Sequence, residues 1–315
     1  MKKMKAVFVC AKKETVDYVY SEAQRKKIAE VTDLMPEIVN AGNFDSVDLK
    51  DVEVIFSTWG MMCFTGEQLD RMPNLKAVFY GAGATDYFAR PLLARGIKVI
   101  SAWKANAIPV AEFVLAQIIL SMKNYFSNNW NNKFAGPGCY GETVALIGAG
   151  AISSKLQEML KVLNMNLNVL VIPSRPERRT VSLEEAFRTA YVVSNHLPNR
   201  EDNQKVLTKE LFASMRQGAT FINTGRGAQV DEAGLIEVLK ARPDLTALLD
   251  VTFPEPPEAG SELYTLPNVR LTTHIAGSLN DEVHRMADYV IGDYLHFAAG
   301  EPLEHEVTEE MLMTH

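Results

Sequence analysis

Short apolar segments alternate with longer segments of helical periodicity along nearly the whole chain, and this alternation limits the possible folds more than any other feature. In the first hundred residues, β-branched and apolar runs predict strands at 5–10, 52–57, 76–80 and 97–101. Helical patterns at 21–31 and 65–71 lie between them. Strand, helix and strand in repetition produce a parallel sheet with helices on both faces. The sequence therefore predicts the α/β class, with doubly wound parallel sheets.

The alternation resumes after a long helix and a loop, so a second sheet is expected. A helix is predicted from about Pro109 to Tyr125, and the stretch 128–141, rich in Asn and Gly, is predicted to be a surface loop. Six further strand candidates follow, at 143–147, 167–172, 191–196, 220–223, 247–251 and 270–272. The last helical segment, 281–299, is expected to pack against the first domain. A chain of 315 residues is long enough for two such domains.

The composition argues against several classes of function. With 32 Lys and Arg against 39 Asp and Glu, the formal net charge is −7, so a nucleic-acid partner is not expected. The three cysteines, Cys10, Cys63 and Cys139, are far apart and lack metal-ligand spacing, which predicts free thiols, no metal site and a cytoplasmic location. The most lipid-like segment, 109–122, is shorter than the roughly 20 residues that span a bilayer. No membrane helix is therefore expected.

The segment Val144–Ser153 has the pattern of a strand, a tight glycine turn and the start of a helix. Gly148 allows the turn, and Gly150 lets a pyrophosphate approach backbone N–H groups at the positive end of the helix. Ser153 stands where a third glycine is usual, and a tight connection without a ligand is the competing interpretation. A similar run at Gly81–Gly83 is not followed by a long helical pattern. Gly148 and Gly150 are therefore the predicted cofactor-binding glycines.

The end of the next predicted strand indicates which dinucleotide is bound. NAD-binding domains usually have an acidic residue there, about 20 positions after the glycines, which bonds a ribose hydroxyl. Here Ser174 and Arg175 follow the strand, with Arg178 and Arg179 just beyond. A hydroxyl and guanidinium groups suit a 2′-phosphate, because Arg binds phosphate with charge-assisted hydrogen bonds. We expect NADP to be preferred through Ser174 and Arg175, with NAD also possible; a solvated basic loop is the competing interpretation.

Three later segments place a polar side chain just after a predicted strand. Arg226, Glu255 and His274 follow the last three strands in turn. The carboxyl ends of parallel strands meet at one edge of a sheet, where such folds bind their ligands. Each residue alone is compatible with a structural role. Together they indicate a site that combines a cation, a carboxylate and an imidazole.

With these segments the sequence resembles the D-isomer-specific 2-hydroxyacid dehydrogenase family, and within it the glyoxylate and hydroxypyruvate reductases. The resemblance includes the glycine turn, the three segments just described, and further matches at 75–83, 106–112 and 193–198. It implies a flavodoxin-like substrate domain, residues 1–101 and 282–315, into which a Rossmann cofactor domain, residues 102–281, is inserted. It also implies a homodimer formed through the long helix and the loop near Trp130.

The resemblance implies a role for each of the three side chains in the reduction of a 2-oxo acid. His274 would donate the proton to the carbonyl oxygen, since imidazolium is well suited to proton transfer near neutral pH. Glu255 would bond the other ring nitrogen and favour the charged ring. Arg226 would hold the substrate carboxylate and polarise the carbonyl. The implied activity is hydride transfer between NAD(P) and a small 2-oxo acid or D-2-hydroxy acid.

Further site residues follow from the same resemblance. Backbone N–H groups would meet the substrate carboxylate at Gly81, Ala82 and Gly83. Five other residues match positions that line the cofactor: Ala151, Ile152, Pro198, Thr224 and Asp250. A different class of function is also compatible with these residues, that of a non-catalytic NAD(P)-binding sensor or corepressor-like protein of the same fold.

Overall fold

The structure is a computed structural model that describes residues 3–128, 130 and 133–314. The chain forms two compact units. The first contains the chain up to Ala107 together with Ser278–Met313, and the second contains Ile108–Gly277. The sequence predicts the changes of domain a few residues away, at 101/102 and 281/282. That the first unit binds the substrate stays a prediction.

The described residues form twelve strands and eleven α-helices. The strands are β1 (Lys5–Val9), β2 (Asp33–Val39), β3 (Val54–Ser57), β4 (Ala77–Tyr80), β5 (Lys98–Ser101), β6 (Thr143–Ile147), β7 (Asn168–Ile172), β8 (Val192–Asn195), β9 (Thr220–Asn223), β10 (Thr246–Leu249), β11 (Val269–Leu271) and β12 (Glu306–Val307). The helices are α1 (Lys13–Val19), α2 (Glu22–Val31), α3 (Gly66–Asp70), α4 (Ala89–Leu93), α5 (Trp103–Met122), α6 (Ala151–Val162), α7 (Leu183–Thr189), α8 (Lys209–Ala213), α9 (Glu232–Ala241), α10 (Glu282–Ala299) and α11 (Glu309–Thr314).

The first unit is built around a sheet in the order β12-β5-β4-β3-β1-β2. Strands β1 to β5 are parallel, and β12 pairs with β5 in the antiparallel direction at one edge. The central strands β3 and β4 are buried along their whole length, as expected where helices cover both faces. The order β2-β1-β3-β4-β5 is that of flavodoxin-like folds, which confirms the predicted class of this domain.

Helix α10 packs on one face of the first sheet, as predicted for the last long helix. The ring of Tyr294 lies 5.4 Å from the rings of both Phe56 and Phe79, measured between centroids. Five further apolar residues of α10 are almost fully buried in the same core: Val283, Met286, Ala287, Val290 and Ile291. Because α10 follows the second unit in sequence but belongs to the first, the second unit is an insertion.

The second unit is built around six parallel strands in the order β11-β10-β9-β8-β6-β7. The strand order reverses at β6, because β7 lies on one side of it and β8 on the other. Open α/β sheets bind their ligands at the carboxyl ends of the strands beside such a reversal. Apolar cores cover both faces of the sheet. The predicted doubly wound sheet of the Rossmann type is confirmed.

The sequence pattern does not predict β2, because Pro36 interrupts its apolar residues. Strand β2 lies at the edge of the first sheet. Its pairing with β1 shifts register between Ala6 and Phe8, so Leu34 and Ile38 are paired and the residues around Pro36 are bypassed. An edge strand with such an irregularity tolerates a residue that has no N–H to donate.

The prediction that the long helix begins at Pro109 is wrong. Helix α5 begins at Trp103 and contains Pro109 in its interior. Ala102 and Ala105, at its start, are fully buried in a core of the first unit, and this burial offsets the hydrogen bond that Pro109 cannot make. At 20 residues α5 is also long and apolar enough to cross a membrane, so the length argument made from the sequence fails. Half of its most apolar window is buried within the protein, which is typical of a core helix.

The predicted surface loop 128–141 is described in part, and residues 129, 131 and 132 lie outside the described residues. Trp130 and Tyr140 of this loop are 90% and 80% exposed. The homodimer that would use this loop stays a prediction. All three cysteines are free, and within the described chain no group of three His, Cys, Asp or Glu side chains could hold a metal ion.

Candidate active site

The glycine turn joins β6 to α6 at the point where the strand order reverses. Gly148 has a φ of +111°, and a Cβ there would lie 2.5 Å from the carbonyl oxygen of His196, so the position requires glycine. Gly150 caps α6, and no atom of the described residues lies within 4 Å of where its Cβ would be. Ala151 and Ile152 begin the helix and are half-buried. The start of α6 therefore has the open approach that a dinucleotide pyrophosphate needs, and these residues fit the cofactor.

Ser153 replaces the third glycine without blocking this approach. Its side chain is fully buried, and Oγ donates a 2.6 Å hydrogen bond to the carbonyl oxygen of Gly148. The bond ties the tight turn to the first turn of α6. The serine therefore stabilises the turn from its inner side.

The loop after β7 carries the residues predicted to choose between NAD and NADP. Ser174 and Arg175 are both half-buried there. Arg179 donates to the carbonyl oxygens of Pro173 at 2.9 Å and Ser174 at 2.8 Å. Its guanidinium therefore fixes the backbone of the loop, whereas Nη1 of Arg175 reaches out to within 3.9 Å of a carboxylate oxygen of Asp202.

The loops after β8 and β9 carry Pro198 and Thr224 beside a buried histidine. The Thr224 hydroxyl lies 3.3 Å from Nδ1 of His196, and Nε2 of His196 lies 2.9 Å from Oγ of Ser194. Burial lowers the pKa of His196 to about 3, so this ring is neutral at neutral pH. His196 is therefore a structural residue. In the predicted contact with the cofactor, the Thr224 hydroxyl would serve both the cofactor and the His196 ring.

Three buried amide side chains join the ends of β8 and β9. Asn195 Nδ2 donates to Asn223 Oδ1 at 2.9 Å and to Gln229 Oε1 at 2.7 Å. Gln229 Nε2 donates to the carbonyl oxygens of Leu197 and Pro198, both at 2.8 Å. Oxygen and nitrogen of the Gln229 amide are thus both used inside the protein. We call Asn195, Asn223 and Gln229 the amide cluster.

Arg226 lies on the loop that the amide cluster supports. Its backbone N–H donates to Gln229 Oε1 at 3.1 Å, and its Nη1 donates to the carbonyl oxygen of Gly225 at 2.8 Å. The loop passes very close to the segment that leads to Glu255, since a Cβ at Gly227 would lie 1.9 Å from the carbonyl carbon of Thr252. No carboxylate of the described residues forms an ion pair with Arg226. Its half-buried guanidinium is therefore available to an anionic ligand.

Asp250, at the end of β10, organises the loop that carries His274. One carboxylate oxygen accepts from the Thr272 hydroxyl at 2.6 Å and the Ile275 N–H at 2.8 Å, and the other accepts from the Ala276 N–H at 3.0 Å. The carbonyl oxygen of Asp250 accepts the N–H of His274 at 3.1 Å. Asp250 is 4% exposed. Its contact with the cofactor stays a prediction. Such a contact would use carboxylate oxygens that already accept these hydrogen bonds.

His274 and Glu255 meet at the same edge of the sheet. Nδ1 of His274 lies 2.7 Å from Oε1 of Glu255. The His274 side chain is 46% exposed and that of Glu255 is 42% exposed. His274 has a left-handed backbone, with φ of +59°, and the bonds from Asp250 hold it there. The structure therefore brings together the imidazole and the carboxylate that the sequence separates by 19 residues.

The other predicted substrate residues belong to the first unit and follow β4. The N–H of Gly81 donates to the carbonyl oxygen of Ser57 at 2.8 Å, and the N–H of Ala82 donates to that of Tyr80 at 2.8 Å. The N–H of Gly83 has no such bond among the described residues. Of the three groups predicted to meet a carboxylate, Gly83 is therefore the one whose N–H is not already used.

The amide cluster is a feature of the site that the sequence analysis does not identify. Asn195 and Asn223 each end a strand of the sheet, which is a usable signal, but Gln229 lies three residues after Arg226 and ends no predicted strand. Amide side chains are common on protein surfaces, so their spacing alone does not indicate a buried cluster.

Comparisons with known proteins agree with this geometry. The family model for the D-isomer specific 2-hydroxyacid dehydrogenase, NAD binding domain, matches residues 114–276, more than half of the chain. A D-3-phosphoglycerate dehydrogenase of Haemophilus influenzae is 31% identical over 80% of this chain and 68% of that protein. A glycerate dehydrogenase of Methylorubrum extorquens is 29% identical over 75% of this chain and 80% of that protein.

A solved structure shows the same fold. The structure named "Probable 2-hydroxyacid dehydrogenase from Rhizobium etli CFN 42 in complex with NADP, HEPES and L(+)-tartaric acid" has a TM-score of 0.75 and 21% identity and covers 99% of this chain and 100% of that chain. Against three further curated relatives, the chain spans 59%, 49% and 48% of their length.

The second unit, with its glycine turn at the strand reversal, is a nicotinamide-dinucleotide-binding domain. The chain belongs to the D-isomer specific 2-hydroxyacid dehydrogenase family.

Proposed function

We propose that the protein is an NAD(P)-dependent oxidoreductase that interconverts a small 2-oxo acid and its D-2-hydroxy acid, with NADPH as the favoured cofactor. The observation that carries this proposal is the 2.7 Å pairing of His274 Nδ1 with Glu255 Oε1. His274 is exposed, and its Nε2 has no hydrogen-bond partner within the described chain. The buried His196, by contrast, uses both ring nitrogens internally. A free ring nitrogen on an imidazole whose other nitrogen faces a carboxylate is what a proton donor requires.

The bound nicotinamide would supply the hydride that reduces the carbonyl carbon. Nε2 of His274 would give a proton to the carbonyl oxygen as negative charge develops there. Glu255 would fix the ring orientation, accept a hydrogen bond from Nδ1–H and balance the positive charge of the protonated ring. Arg226 would bind the substrate carboxylate, for which a guanidinium offers paired charge-assisted hydrogen bonds. In the direction of oxidation, the neutral His274 would take the hydroxyl proton instead.

The proposed preference for NADPH is supported by the end of β7. Residues 173–175 are Pro, Ser and Arg, so the loop after β7 itself offers no carboxylate to a ribose hydroxyl. A hydroxyl and a guanidinium in that place favour a phosphate. NAD remains possible as a second cofactor.

A small substrate is supported by the relatives named for glycerate and 3-phosphoglycerate. A homodimer and a cytoplasmic location belong to the same proposal. The three free cysteines are compatible with a reducing compartment.

A spectrophotometric assay tests the activity. NADPH and NADH oxidation is followed with glyoxylate, hydroxypyruvate, pyruvate and longer 2-oxo acids, for the wild type, His274→Ala and the control His296→Ala. His274→Ala should lower turnover by about a hundredfold to ten-thousandfold and leave dinucleotide affinity unchanged. His296→Ala, which lies in the first unit and is 39% exposed, should behave as the wild type. No turnover with any acid, together with tight dinucleotide binding, would contradict the proposal and favour a non-catalytic sensor.

A further inference from the structure

We propose that Arg200 is a second residue that recognises the 2′-phosphate of NADP, and that Asp202 is a counter-ion that occupies the phosphate's place when none is bound. This inference rests on the proposed preference for NADPH and names the residues that would set it.

The position of the cluster points to the adenosine end of a dinucleotide. Arg175 follows β7, whereas Arg200 and Asp202 follow β8, and β6 with its glycine turn lies between these two strands. The two loops meet, because Nη1 of Arg175 lies 3.9 Å from Oδ2 of Asp202. In sheets of this topology the pyrophosphate lies at the glycine turn and the ribose beside the end of the next strand. The cluster is therefore within the same crevice as the predicted cofactor residues.

Arg200 is incompletely satisfied in the structure. Its side chain is only 11% exposed. Its Nε donates to Oδ1 of Asp202 at 2.8 Å, and its Nη2 bonds Oδ2 of Asp202. Its Nη1 is buried and has no hydrogen-bond partner among the described residues. Buried donors in proteins are nearly always paired, so the pairing with Asp202 leaves this guanidinium one acceptor short.

Asp202 is suited to exchange with a phosphate. Its side chain is 56% exposed, so it can turn into solvent without leaving a buried charge. The Asp202 carboxylate is approached by two guanidinium groups, those of Arg175 and Arg200, so both cations face the same point. A phosphate monoester carries about −1.5 to −2 charges at neutral pH and three acceptor oxygens, and it can bond both groups at once. The ribose hydroxyl of NAD carries no charge for these guanidinium groups to pair with, so they would favour NADP, and Asp202 would compete with the phosphate for them.

The competing interpretation is that Arg200 and Asp202 only stabilise the turn at Glu201–Asn203. Exposed ion pairs between close neighbours in sequence are common and contribute little. The buried Nη1 and the approach of Arg175 from another loop are not explained by such a turn.

Calorimetric titration of the full-length protein with NADPH and with NADH tests the inference. Asp202→Asn should bind NADPH about two- to tenfold more tightly than the wild type and bind NADH unchanged, because the phosphate no longer competes with a carboxylate. Arg200→Gln should bind NADPH about ten- to a hundredfold more weakly and NADH within about twofold of the wild type. The matched control is Asp244→Asn. Asp244 pairs with Arg242 two residues away at 2.7 Å, but it precedes β10 and so lies at the amino ends of the strands, whereas the glycine turn lies at their carboxyl ends. Both affinities should therefore stay at wild-type values.

The outcomes separate the two proposals. A wild type that binds NADPH no more tightly than NADH contradicts the proposed preference and, with it, this inference. A wild type that prefers NADPH, while Arg200→Gln and Asp202→Asn keep the same NADPH to NADH ratio of affinities, overturns the role of the pair alone. If Arg200→Gln does not fold, the exposed Asp202→Asn decides on its own, since an unchanged NADPH affinity in that variant refutes the exchange.

Discussion

Replacing Gln229 by Leu should show how strongly the amide cluster holds the Arg226 loop. The side chain is 2% exposed and forms four hydrogen bonds, two through Oε1 and two through Nε2. Buried hydrogen bonds contribute about 0.5–1.5 kcal/mol each, so their loss would cost about 2–6 kcal/mol before any gain from the added apolar packing. We expect the free energy of unfolding to fall by about 3 kcal/mol.

The same substitution should affect substrate binding. Without Gln229 the N–H of Arg226 loses its acceptor, and small displacements of a binding group can reduce rates about a hundredfold. We expect the KM for the 2-oxo acid to rise at least tenfold, with a smaller change in kcat. Urea unfolding and steady-state kinetics on the same preparation measure both effects.

Gln117→Leu is the matched control for this prediction. Gln117 Oε1 is buried and has no partner among the described residues, so removing that amide should be neutral or slightly stabilising. A Gln229→Leu variant as stable as Gln117→Leu, or with unchanged KM, would refute the role assigned to the cluster.

Three other predictions follow from single positions. Gly148→Ala should lower the free energy of unfolding by at least about 2 kcal/mol and weaken dinucleotide binding, because a Cβ there meets a carbonyl oxygen at 2.5 Å. The control is Gly96→Ala, at a position with φ of +73° and open space, which should cost only about 1 kcal/mol in the same urea titration. Arg226→Gln should lower kcat/KM for 2-oxo acids by about a hundredfold or more while calorimetry shows normal dinucleotide affinity; a normal kcat/KM would contradict the assignment. Burial lowers the pKa of His196 from 6.5 to about 3, so between these pH values the unfolded chain binds a proton that the folded chain does not. The free energy of unfolding should therefore be complete above pH 6.5 and fall towards pH 3 by up to about 1.4 kcal/mol per pH unit. His196→Asn should reduce that slope, and an equal slope in both proteins would exclude His196 as its source.

The sheets could be predicted from the sequence because their central strands are continuous apolar runs. Strands β6 and β9 fall at the predicted residues, and both are almost entirely buried. Strand β2 escapes prediction, since its partly exposed residues and Pro36 do not form an apolar run. The start of α5 is misplaced for a different reason: proline favours a first turn, but burial of the preceding alanines extends the helix beyond it.

The positions of Arg226, Glu255 and His274 could be anticipated because each follows a strand of one parallel sheet. The interactions that hold these side chains in place could not be anticipated. Asp250 is visible in the sequence, but its bonds to the His274 loop depend on a backbone conformation that is set only in the folded chain. The amide cluster and the pair Arg200–Asp202 each join residues whose types are ordinary on surfaces. Both were identified from side-chain burial and interatomic distances, which the sequence alone does not give.

The most direct test of the proposed chemistry is a crystal structure of the protein with NADPH and oxamate, an unreactive analogue of a 2-oxo acid. We predict that the Arg226 guanidinium bonds the oxamate carboxylate. His274 Nε2 should lie within hydrogen-bond distance of the oxamate carbonyl oxygen, while Nδ1 keeps its bond to Glu255. An imidazole turned away from the bound acid, or separated from Glu255 in the complex, would contradict the account.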